Sequence, residues 1–261
     1  MVITMRANNV LGIIYSNAYD SVLSELTNAR TMGSVPFGGR YRLIDFALSN
    51  LVNCGINKVG IITKSNYQSL MDHIGTGKPW DLSRKRGGMF LLPPFNNSHT
   101  GMYRDRIQAL RGIMRFLEQS KEEYIVLMDT NVVCNFDLND MCRAHTESGA
   151  DITIAYHHGR APRLDDLMTF TFEENQKVAK IALDPKTSNP VDYAMNIILI
   201  SKALLTRLIN NAVSLNQDSF VRDVIQHNLK RLNIYGYEVS GFTSVFDSLQ
   251  SYYDISMSLL D

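Results

Sequence analysis

The stretch YIVLMDTNVVCNFDL, residues 124–138, decides the fold of this chain. An apolar run stops at Asp129, a polar triplet of Asp129, Thr130 and Asn131 follows, and apolar residues then resume. A short apolar run of this kind is typical of a strand buried on both faces of a parallel sheet. The carboxyl ends of such strands line the ligand crevices of α/β proteins. The stretch therefore predicts a central strand and makes Asp129 a candidate for a catalytic or metal-binding carboxylate.

Similar apolar runs recur along the chain, with helical patterns between many of them. The predicted strands cover residues 10–14, 59–63, 124–128, 152–156 and 195–200. Apolar residues recur at helical spacing within 43–51, 107–117 and 204–209. Residues 170–183 instead predict a hairpin, because two strand-like runs flank the polar EENQK. The pattern predicts an α/β fold with a mainly parallel sheet, a β-ribbon at about 166–192 and an amphipathic helix at about 244–261.

Composition and charge exclude several classes of protein. The chain has 261 residues, of which 45% are hydrophobic and 20% charged, and these values indicate a globular protein. Lys and Arg number 26 and Asp and Glu number 26, so a nucleic-acid groove is not expected. Three widely spaced cysteines indicate reduced thiols. No signal peptide and no bilayer-length apolar run is found, so we expect a cytoplasmic protein with no membrane partner.

Two basic segments are candidates for binding an anion. In SVPFGGRYRLIDFALSN, residues 34–50, a Gly-Gly turn leads into a helix with Arg40 and Arg42 near its start. Free backbone N–H groups and guanidinium groups together favour an anion. Arg84 and Arg86 lie in the short basic loop SRKRGG. The alternative in both cases is a set of solvated arginines on the surface.

Familiar catalytic motifs are missing from the sequence. HIGTGKPW, residues 73–80, resembles the end of a phosphate-binding loop, but Pro79 follows Lys78 where Ser or Thr is required. The chain has no G-x-S-x-G elbow, no G-x-G-x-x-G after the first strand and no histidine–cysteine pattern typical of zinc sites. Motif patterns alone therefore assign no chemistry.

The segment SVPFGGRYRLIDFALSNLVNCGINKVGIIT strongly resembles the N-terminal region of bacterial ADP-glucose pyrophosphorylases, also called glucose-1-phosphate adenylyltransferases. The resemblance continues in order through HIGTGKPWDL, GMYRDRIQAL, AMNIILISKALL and SFVRDVIQ, over nearly the whole chain. It implies one nucleotidyltransferase domain over 1–261, with the Rossmann-like, mixed but mostly parallel sheet and flanking helices of nucleotide-diphospho-sugar transferases. The family also has a left-handed β-helix domain after this one; its repeats are absent here, and the last helix would be the connector.

Several positions depart from the family pattern. Where the family has a glycine-rich loop after the first strand, this chain reads SNAYDSVLSEL. In the segment that matches W-Y-x-G-T-A-D-A, Tyr103 is kept, Asp105 and Arg106 replace Gly-Thr, and Gln108 replaces Asp. Asn131 stands where the family has a metal-binding Asp, and its neutral oxygen is a poorer ligand for Mg²⁺.

Two further positions agree with this trend. Asp184 stands where the resemblance implies a lysine that meets the sugar phosphate, and Ser219 replaces the first carboxylate of the family's D-F-G-K-D. Asp223, the second carboxylate, is kept. Asp129 and Asp223 therefore remain as weak metal candidates, and no intact catalytic set is expected.

The resemblance and its departures together imply a regulatory, non-catalytic subunit that modulates a catalytic ADP-glucose pyrophosphorylase subunit in a hetero-oligomer. The Mg²⁺ would belong to the catalytic partner, and this chain would hold no cofactor. Arg40, Arg42, Tyr103, Arg84 and Arg86 are the candidates for binding a phosphorylated metabolite as effector. Two alternatives stay open at this point: an active nucleotidyltransferase with an altered metal site, and a stand-alone scaffold protein.

Overall fold

The computed structural model describes residues 7–85, 87–94, 105–135, 137–185 and 187–259. Its strands are β1 Val10–Tyr15, β2 Pro36–Phe37, β3 Tyr41–Arg42, β4 Lys58–Ile62, β5 Gly88–Leu92, β6 Tyr124–Asp129, β7 Val132–Cys134, β8 Ile152–Gly159, β9 Met168–Phe172, β10 Val178–Leu183, β11 Val191–Ser201, β12 Ile234–Glu238 and β13 Thr243–Val245. Its α-helices are α1 Ser24–Thr27, α2 Leu43–Asn53, α3 Gln68–Ile74, α4 Arg106–Gly112, α5 Met114–Gln119, α6 Leu138–Ser148, α7 Lys202–Ser214 and α8 Leu249–Ser258.

The main sheet has the strand order β10-β9-β11-β6-β1-β4-β5, and β8 pairs with both β11 and β12. Pairing is parallel from β6 through β1 and β4 to β5, and antiparallel around β11. All five predicted strands lie in this sheet, and the predicted fold class is confirmed. The parallel half brings the carboxyl ends of β1, β4 and β6 to one edge, where a site can form.

Two apolar layers cover the sheet because successive residues of a strand face opposite sides. Leu11 and Ile13 pack with α4, α5 and α7 on one face, whereas Val10 and Ile14 pack with α2, α3 and α6 on the other. Gly12 lets α2 approach β1 closely, since a Cβ there would lie 2.7 Å from Leu51 Cδ1. The strands are thus buried on both faces, as their uninterrupted apolar sequences predict.

Local signals in the sequence explain where α2 begins and ends. The Asp45 carboxylate accepts a hydrogen bond from the Arg42 backbone N–H at 2.9 Å, which caps the first turn. Gly55, with φ of +84°, follows the last turn in the left-handed conformation that favours glycine. Gly55 therefore marks the end of α2, and the helix presents its first turn beside the Gly38-Gly39 turn.

The hairpin at 166–192 and the helix at 244–261 differ in detail from their predictions. Strands β9 and β10 form the expected antiparallel hairpin, but β9 also joins the main sheet through β11. The last helix begins at Leu249 rather than about 244, because the preceding residues pair as β13 with β7. On this helix, Tyr252 and Ile255 pack inward, whereas Tyr253 is 58% exposed.

In the part of the chain that the structure describes, no helix is both long and apolar enough to cross a bilayer.

Candidate functional site

The carboxyl ends of β1 and β6 form the first candidate site. The parallel register of these strands places Tyr15 beside Asp129, the last residue of each strand. The Asp129 side chain has no solvent exposure. A carboxylate in this position needs a nearby cation, because burying an unpaired charge is very costly.

Arg106 supplies that cation from the first turn of α4. Its Nη2 donates a hydrogen bond to Asp129 Oδ2 at 2.5 Å. The guanidinium carbon lies 4.6 Å from the centre of the Tyr15 ring and 5.7 Å from that of Phe220, so two aromatic faces hold it in place. Asp105 fixes the start of α4 by accepting a hydrogen bond from the Gln108 backbone N–H at 2.8 Å. We call Asp129 and Arg106, with Tyr15 and Phe220, the edge site.

The charges in the edge site depend on each other. Burial raises the pKa of the Asp129 carboxyl, and the adjacent Arg106 guanidinium opposes that rise. Burial alone would lower the pKa of Arg106, but the charge and hydrogen bond of Asp129 together with the neighbouring Tyr15 and Tyr19 raise it. Because a guanidinium keeps its proton in proteins, the pair is an ion pair.

Asn131 lies two residues beyond Asp129, at the bend between β6 and β7. Its side chain is fully buried, and neither its oxygen nor its nitrogen has a hydrogen-bond partner among the described residues. The backbone oxygen of Asn131 accepts a hydrogen bond from the Phe246 N–H at 2.8 Å, which holds the bend against the β13 segment. The backbone is therefore held at this bend, and the buried amide carries no charge that could hold a cation.

Asp223 and Ser219 serve a local turn rather than the edge site. Asp223 Oδ2 accepts hydrogen bonds from the backbone N–H groups of Ser219 at 3.0 Å and Asp218 at 3.3 Å. Ser219 Oγ in turn accepts from the Arg222 backbone N–H at 3.1 Å, at the start of the π-helical segment Phe220–Ile225. Both side chains cap this segment.

The residues present do not fit a divalent metal ion. Mg²⁺ requires oxygen ligands, mostly anionic or water, in near-octahedral geometry. Here Asp129 is paired with Arg106, Asn131 is neutral, and Asp223 is engaged with backbone N–H groups. Over the described ranges, no group of three or more His, Cys, Asp or Glu side chains is placed to hold a metal.

Asp184 follows the end of β10, and Gln108 lies on α4. Asp184 Oδ1 accepts a hydrogen bond from the Leu167 N–H at 3.0 Å, and Asp184 adopts a φ of +49° at the end of β10. Its charge contributes to a raised pKa at Asp166, although burial is the larger cause. Gln108 is exposed on α4. These positions add negative charge or an exposed amide, and neither supplies a cation for a phosphate.

The loop after β1 is braced by side chains. Asn17 Oδ1 accepts a hydrogen bond from the Lys64 N–H at 2.6 Å, and Asn17 Nδ2 donates to Asp20 Oδ2 at 2.6 Å. Asp20 Oδ1 accepts from the Met32 N–H at 2.7 Å, and burial raises the pKa of Asp20 to about 6. The loop thus uses carboxylate and amide side chains where a phosphate loop would offer backbone N–H groups.

Tyr19 occupies space beside the edge site. Its hydroxyl accepts a hydrogen bond from Asn196 Nδ2 at 2.8 Å, and burial, with a smaller effect of Asp129, raises its pKa to about 12. A cavity of about 240 Å³ remains. It is lined by Tyr15, Asn17, Ala18, Tyr19, Ile62, Lys64, Asp105, Arg106 and Ala109. This volume is below the range of roughly 300–1,000 Å³ of most ligand pockets.

A second, larger cleft of about 740 Å³ lies between α2, α3 and the following turn. Arg40, Lys78 and Arg84 lie on its walls together with Trp80 and His73. The cleft combines these three cationic side chains with an aromatic surface, and the carboxylates of Asp45 and Asp81 also lie on its walls. We call it the basic cleft.

The predicted basic residues differ in how they meet the basic cleft. The Arg40 guanidinium lies 5.1 Å from the centre of the Tyr41 ring, and Arg84 forms an ion pair with Asp81. Arg42 points elsewhere, because its Nη1 donates to both the backbone oxygen and the hydroxyl of Ser69, each at 2.7 Å. The structure therefore brings Arg40 and Arg84 to the cleft and leaves Arg42 as a tether between α2 and α3.

Two predicted residues, Arg86 and Tyr103, lie outside the described residues. Other site residues were missed by sequence reasoning. His73, Lys78 and Trp80 lie in HIGTGKPW, for which no effector-binding role was predicted. His73 Nε2 lies 2.6 Å from Asp45 Oδ1, a contact between α3 and α2 that spacing along the chain does not reveal.

Comparisons with known proteins agree with this architecture. The nucleotidyl transferase family profile matches residues 12–246. The glycogen biosynthesis protein GlgD of Bacillus subtilis is 31% identical over 256 residues, which cover 98% of this chain and 65% of that protein. GlgD of Geobacillus stearothermophilus is 41% identical over 157 residues, which cover 59% of this chain and 45% of that protein. This chain thus spans less than two thirds of the length of these two relatives.

An adenylyltransferase and a solved structure are also similar. The glucose-1-phosphate adenylyltransferase of Clostridium acetobutylicum is 30% identical over 262 residues, which cover 98% of this chain and 69% of that protein. The fold superposes with a TM-score of 0.77 on a crystal structure from Bacillus anthracis, of a protein assigned as a glucose-1-phosphate thymidylyltransferase in complex with sucrose. That match covers 97% of this chain and 96% of the other at 18% identity, and it shows the shared fold.

Proposed function

The chain belongs to the nucleotidyl transferase family, within the group of glucose-1-phosphate adenylyltransferases and GlgD proteins, and from this we propose that it is a regulatory, catalytically degenerate subunit. Its role is in glycogen biosynthesis, where it modulates a catalytic adenylyltransferase subunit that makes ADP-glucose. The names of the similar GlgD and adenylyltransferase proteins support the pathway, and the edge site supports the degenerate part of the proposal.

The buried ion pair of Arg106 with Asp129 is the observation that carries this proposal. Nucleotidyl transfer requires cations that neutralise the triphosphate as negative charge moves onto the leaving group. In the edge site, the carboxylate that could help hold a metal is neutralised by the chain's own arginine. Asn131 adds only a neutral amide. The ion pair contributes to the stability of the fold, and the edge site lacks the free positive charges that the reaction needs.

The surroundings of the edge site point the same way. Tyr19 and the loop after β1 leave only about 240 Å³, and the Asn17 and Asp20 side chains of that loop are engaged in hydrogen bonds within the fold. On this proposal, ATP and glucose 1-phosphate react on the catalytic partner, which also holds the Mg²⁺. The chain itself contributes no metal ligand.

Reconstitution with a catalytic glucose-1-phosphate adenylyltransferase subunit tests the regulatory role. Both chains are purified separately, mixed, and examined by size-exclusion chromatography and by pyrophosphate release with ATP, Mg²⁺ and glucose 1-phosphate. We expect co-elution and a change in the KM or effector response of the catalytic subunit. Separate elution together with unchanged kinetics would rule out the regulatory role and favour a scaffold with another partner.

The basic cleft is the proposed binding site for a phosphate-bearing effector. Arg40 and Arg84, with Lys78 beside them, provide positive charge on the wall of a cavity of about 740 Å³. Guanidinium groups bind phosphate oxygens through directed, charge-assisted hydrogen bonds. The Trp80 ring offers a flat apolar surface for the rest of a sugar phosphate.

Calorimetric titration with sugar phosphates tests the effector site, with Arg40→Ala as the variant and Arg42→Ala as its matched control. We expect Arg40→Ala to weaken binding by at least about tenfold, or 1.4 kcal/mol. Arg42→Ala should keep the affinity but lower the free energy of unfolding by about 1–2 kcal/mol, since it loses two hydrogen bonds to Ser69. Equal binding by wild type and Arg40→Ala would remove the effector proposal.

A further inference from the structure

The edge site keeps a buried carboxylate although the surrounding residues do not fit a metal ion. The Asp129 side chain has no solvent exposure, and Arg106 contacts it directly. Among the described residues, Arg106 is the one Lys, Arg or His side chain in ion-pair contact with Asp129. Arg106 thus supplies, from within the chain, the positive charge that a buried carboxylate requires.

We propose that the Arg106 guanidinium takes the place of a bound cation beside Asp129, so that the chain closes this site to divalent metal ions with a charge of its own. The inference rests on the proposed function, because it concerns the same degenerate edge site. It gives a specific reason why the edge site binds no metal: Arg106 excludes the ion, in addition to the lack of ligands.

The position of Arg106 is built into the fold. Arg106 begins α4, whose first turn is fixed by the Asp105 side chain. The guanidinium is held over the rings of Tyr15 and Phe220 while it donates to Asp129 Oδ2. Three separate elements, β1, β6 and the segment Phe220–Ile225, thus converge on one side chain. A solvated arginine would show no such set of contacts.

A divalent ion cannot share this position with the guanidinium. A metal at Asp129 would lie within a few ångströms of a second positive charge, which repels it strongly in a buried site. Asp129 Oδ2 is already engaged, and Asn131 offers a neutral oxygen. Removing the arginine frees Asp129 Oδ2 and leaves a buried negative charge that a cation stabilises.

The Arg106→Met variant tests this directly, because methionine retains an unbranched side chain between the two rings and removes the charge. Binding of Mn²⁺ is measured by electron paramagnetic resonance, and thermal unfolding is followed with and without millimolar Mn²⁺. We expect Arg106→Met to bind Mn²⁺ at least about tenfold more tightly than wild type, and Mn²⁺ to raise its Tm. The double variant Arg106→Met/Asp129→Asn should lose both effects.

Two controls separate the edge site from other carboxylates. Arg111→Met removes an exposed arginine of the same helix, whose Nη1 donates to Asn210 Oδ1, and should leave Mn²⁺ binding at the wild-type level. Wild type and Asp129→Asn should bind Mn²⁺ equally weakly, a comparison that remains informative even if Arg106→Met fails to fold.

Two results would overturn the inference. One is wild-type Mn²⁺ binding that disappears in Asp129→Asn, since metal would then reach Asp129 despite the arginine. The other is folded Arg106→Met protein that binds no more Mn²⁺ than wild type. In that second case the proposed function stands unless the wild-type chain itself releases pyrophosphate, so the two failures are distinguishable.

Discussion

Replacing Arg106 with methionine should destabilise the fold by an amount that the edge site allows us to work out. Asp129 has no side-chain exposure and Arg106 has 16%, so the variant leaves a buried carboxylate without its counter-ion. Removing one partner of a buried ion pair costs about 3–5 kcal/mol. We expect about 3 kcal/mol, because the cavity beside Arg106 lets water approach the vacated space.

The loss should depend on pH in a defined direction. Burial raises the pKa of Asp129 and Arg106 opposes that rise, so removing Arg106 raises the pKa further above the unfolded value of about 3.9. The folded variant then holds the Asp129 proton more tightly than the unfolded chain does. Its stability is therefore retained at acidic pH and is lost as pH rises through the folded pKa. The gap between wild type and Arg106→Met should widen towards neutral pH.

Urea unfolding followed by circular dichroism measures these differences, in a double-mutant cycle with Asp129→Asn. We expect a coupling of about 2 kcal/mol between the two positions, since the pair is in direct contact. Arg111→Met, on the exposed side of the same helix, should change the free energy of unfolding by less than about 0.5 kcal/mol. A loss below about 1 kcal/mol in Arg106→Met at neutral pH, or a cycle without coupling, would refute the reasoning.

Two further predictions concern the core. Burial lowers the pKa of His145 to about 4, below its unfolded value of about 6.5, so stability should fall by about 2–3 kcal/mol as pH decreases through this window. If the midpoint of urea unfolding is measured against pH, His145→Gln should remove this fall in stability. His158→Gln, at an exposed site, should leave the pH dependence unchanged. A Cβ at Gly236 would lie 2.5 Å from Phe172 Cε1, so Gly236→Ala should cost about 1–3 kcal/mol. A Cβ at Gly112 would have no neighbouring atom within 4 Å, so Gly112→Ala should instead stabilise the chain by up to about 1 kcal/mol. Thermal unfolding measures both variants, and equal effects at the two glycines would contradict the packing argument.

Much of the fold could be predicted because its central strands are buried on both faces. Such strands appear in the sequence as uninterrupted apolar runs, as in β6 and β11. The start of α8 was predicted too early because residues 243–245 pair with β7, and apolar periodicity carries no information about pairing across more than a hundred residues. Periodicity also does not say which apolar face of α8 packs on the domain, and in the structure Tyr252 and Ile255 pack inward while Tyr253 is exposed.

The sequence predicted which catalytic residues the candidate site lacks, but not which residues contact each other there. A neutral Asn131 and the absence of glycines after β1 could be recognised from the family pattern alone. In the sequence, Arg106 was recognised as one of two residues that replace the family's Gly-Thr pair. Its contact with Asp129 spans 23 positions and depends on how α4 meets the ends of β1 and β6. Similarly, only the folded chain shows that Arg40 reaches the basic cleft while Arg42 binds Ser69.

The most direct test of the account is pyrophosphate release by the isolated chain, supplied with ATP, Mg²⁺ and glucose 1-phosphate and free of any catalytic subunit. Because Arg106 neutralises Asp129 and Asn131 carries no charge, the account predicts no release above the enzyme-free background. Turnover in the ordinary enzymatic range, on the order of 1–10³ s⁻¹, would contradict it and would mean that the edge site opens to a metal.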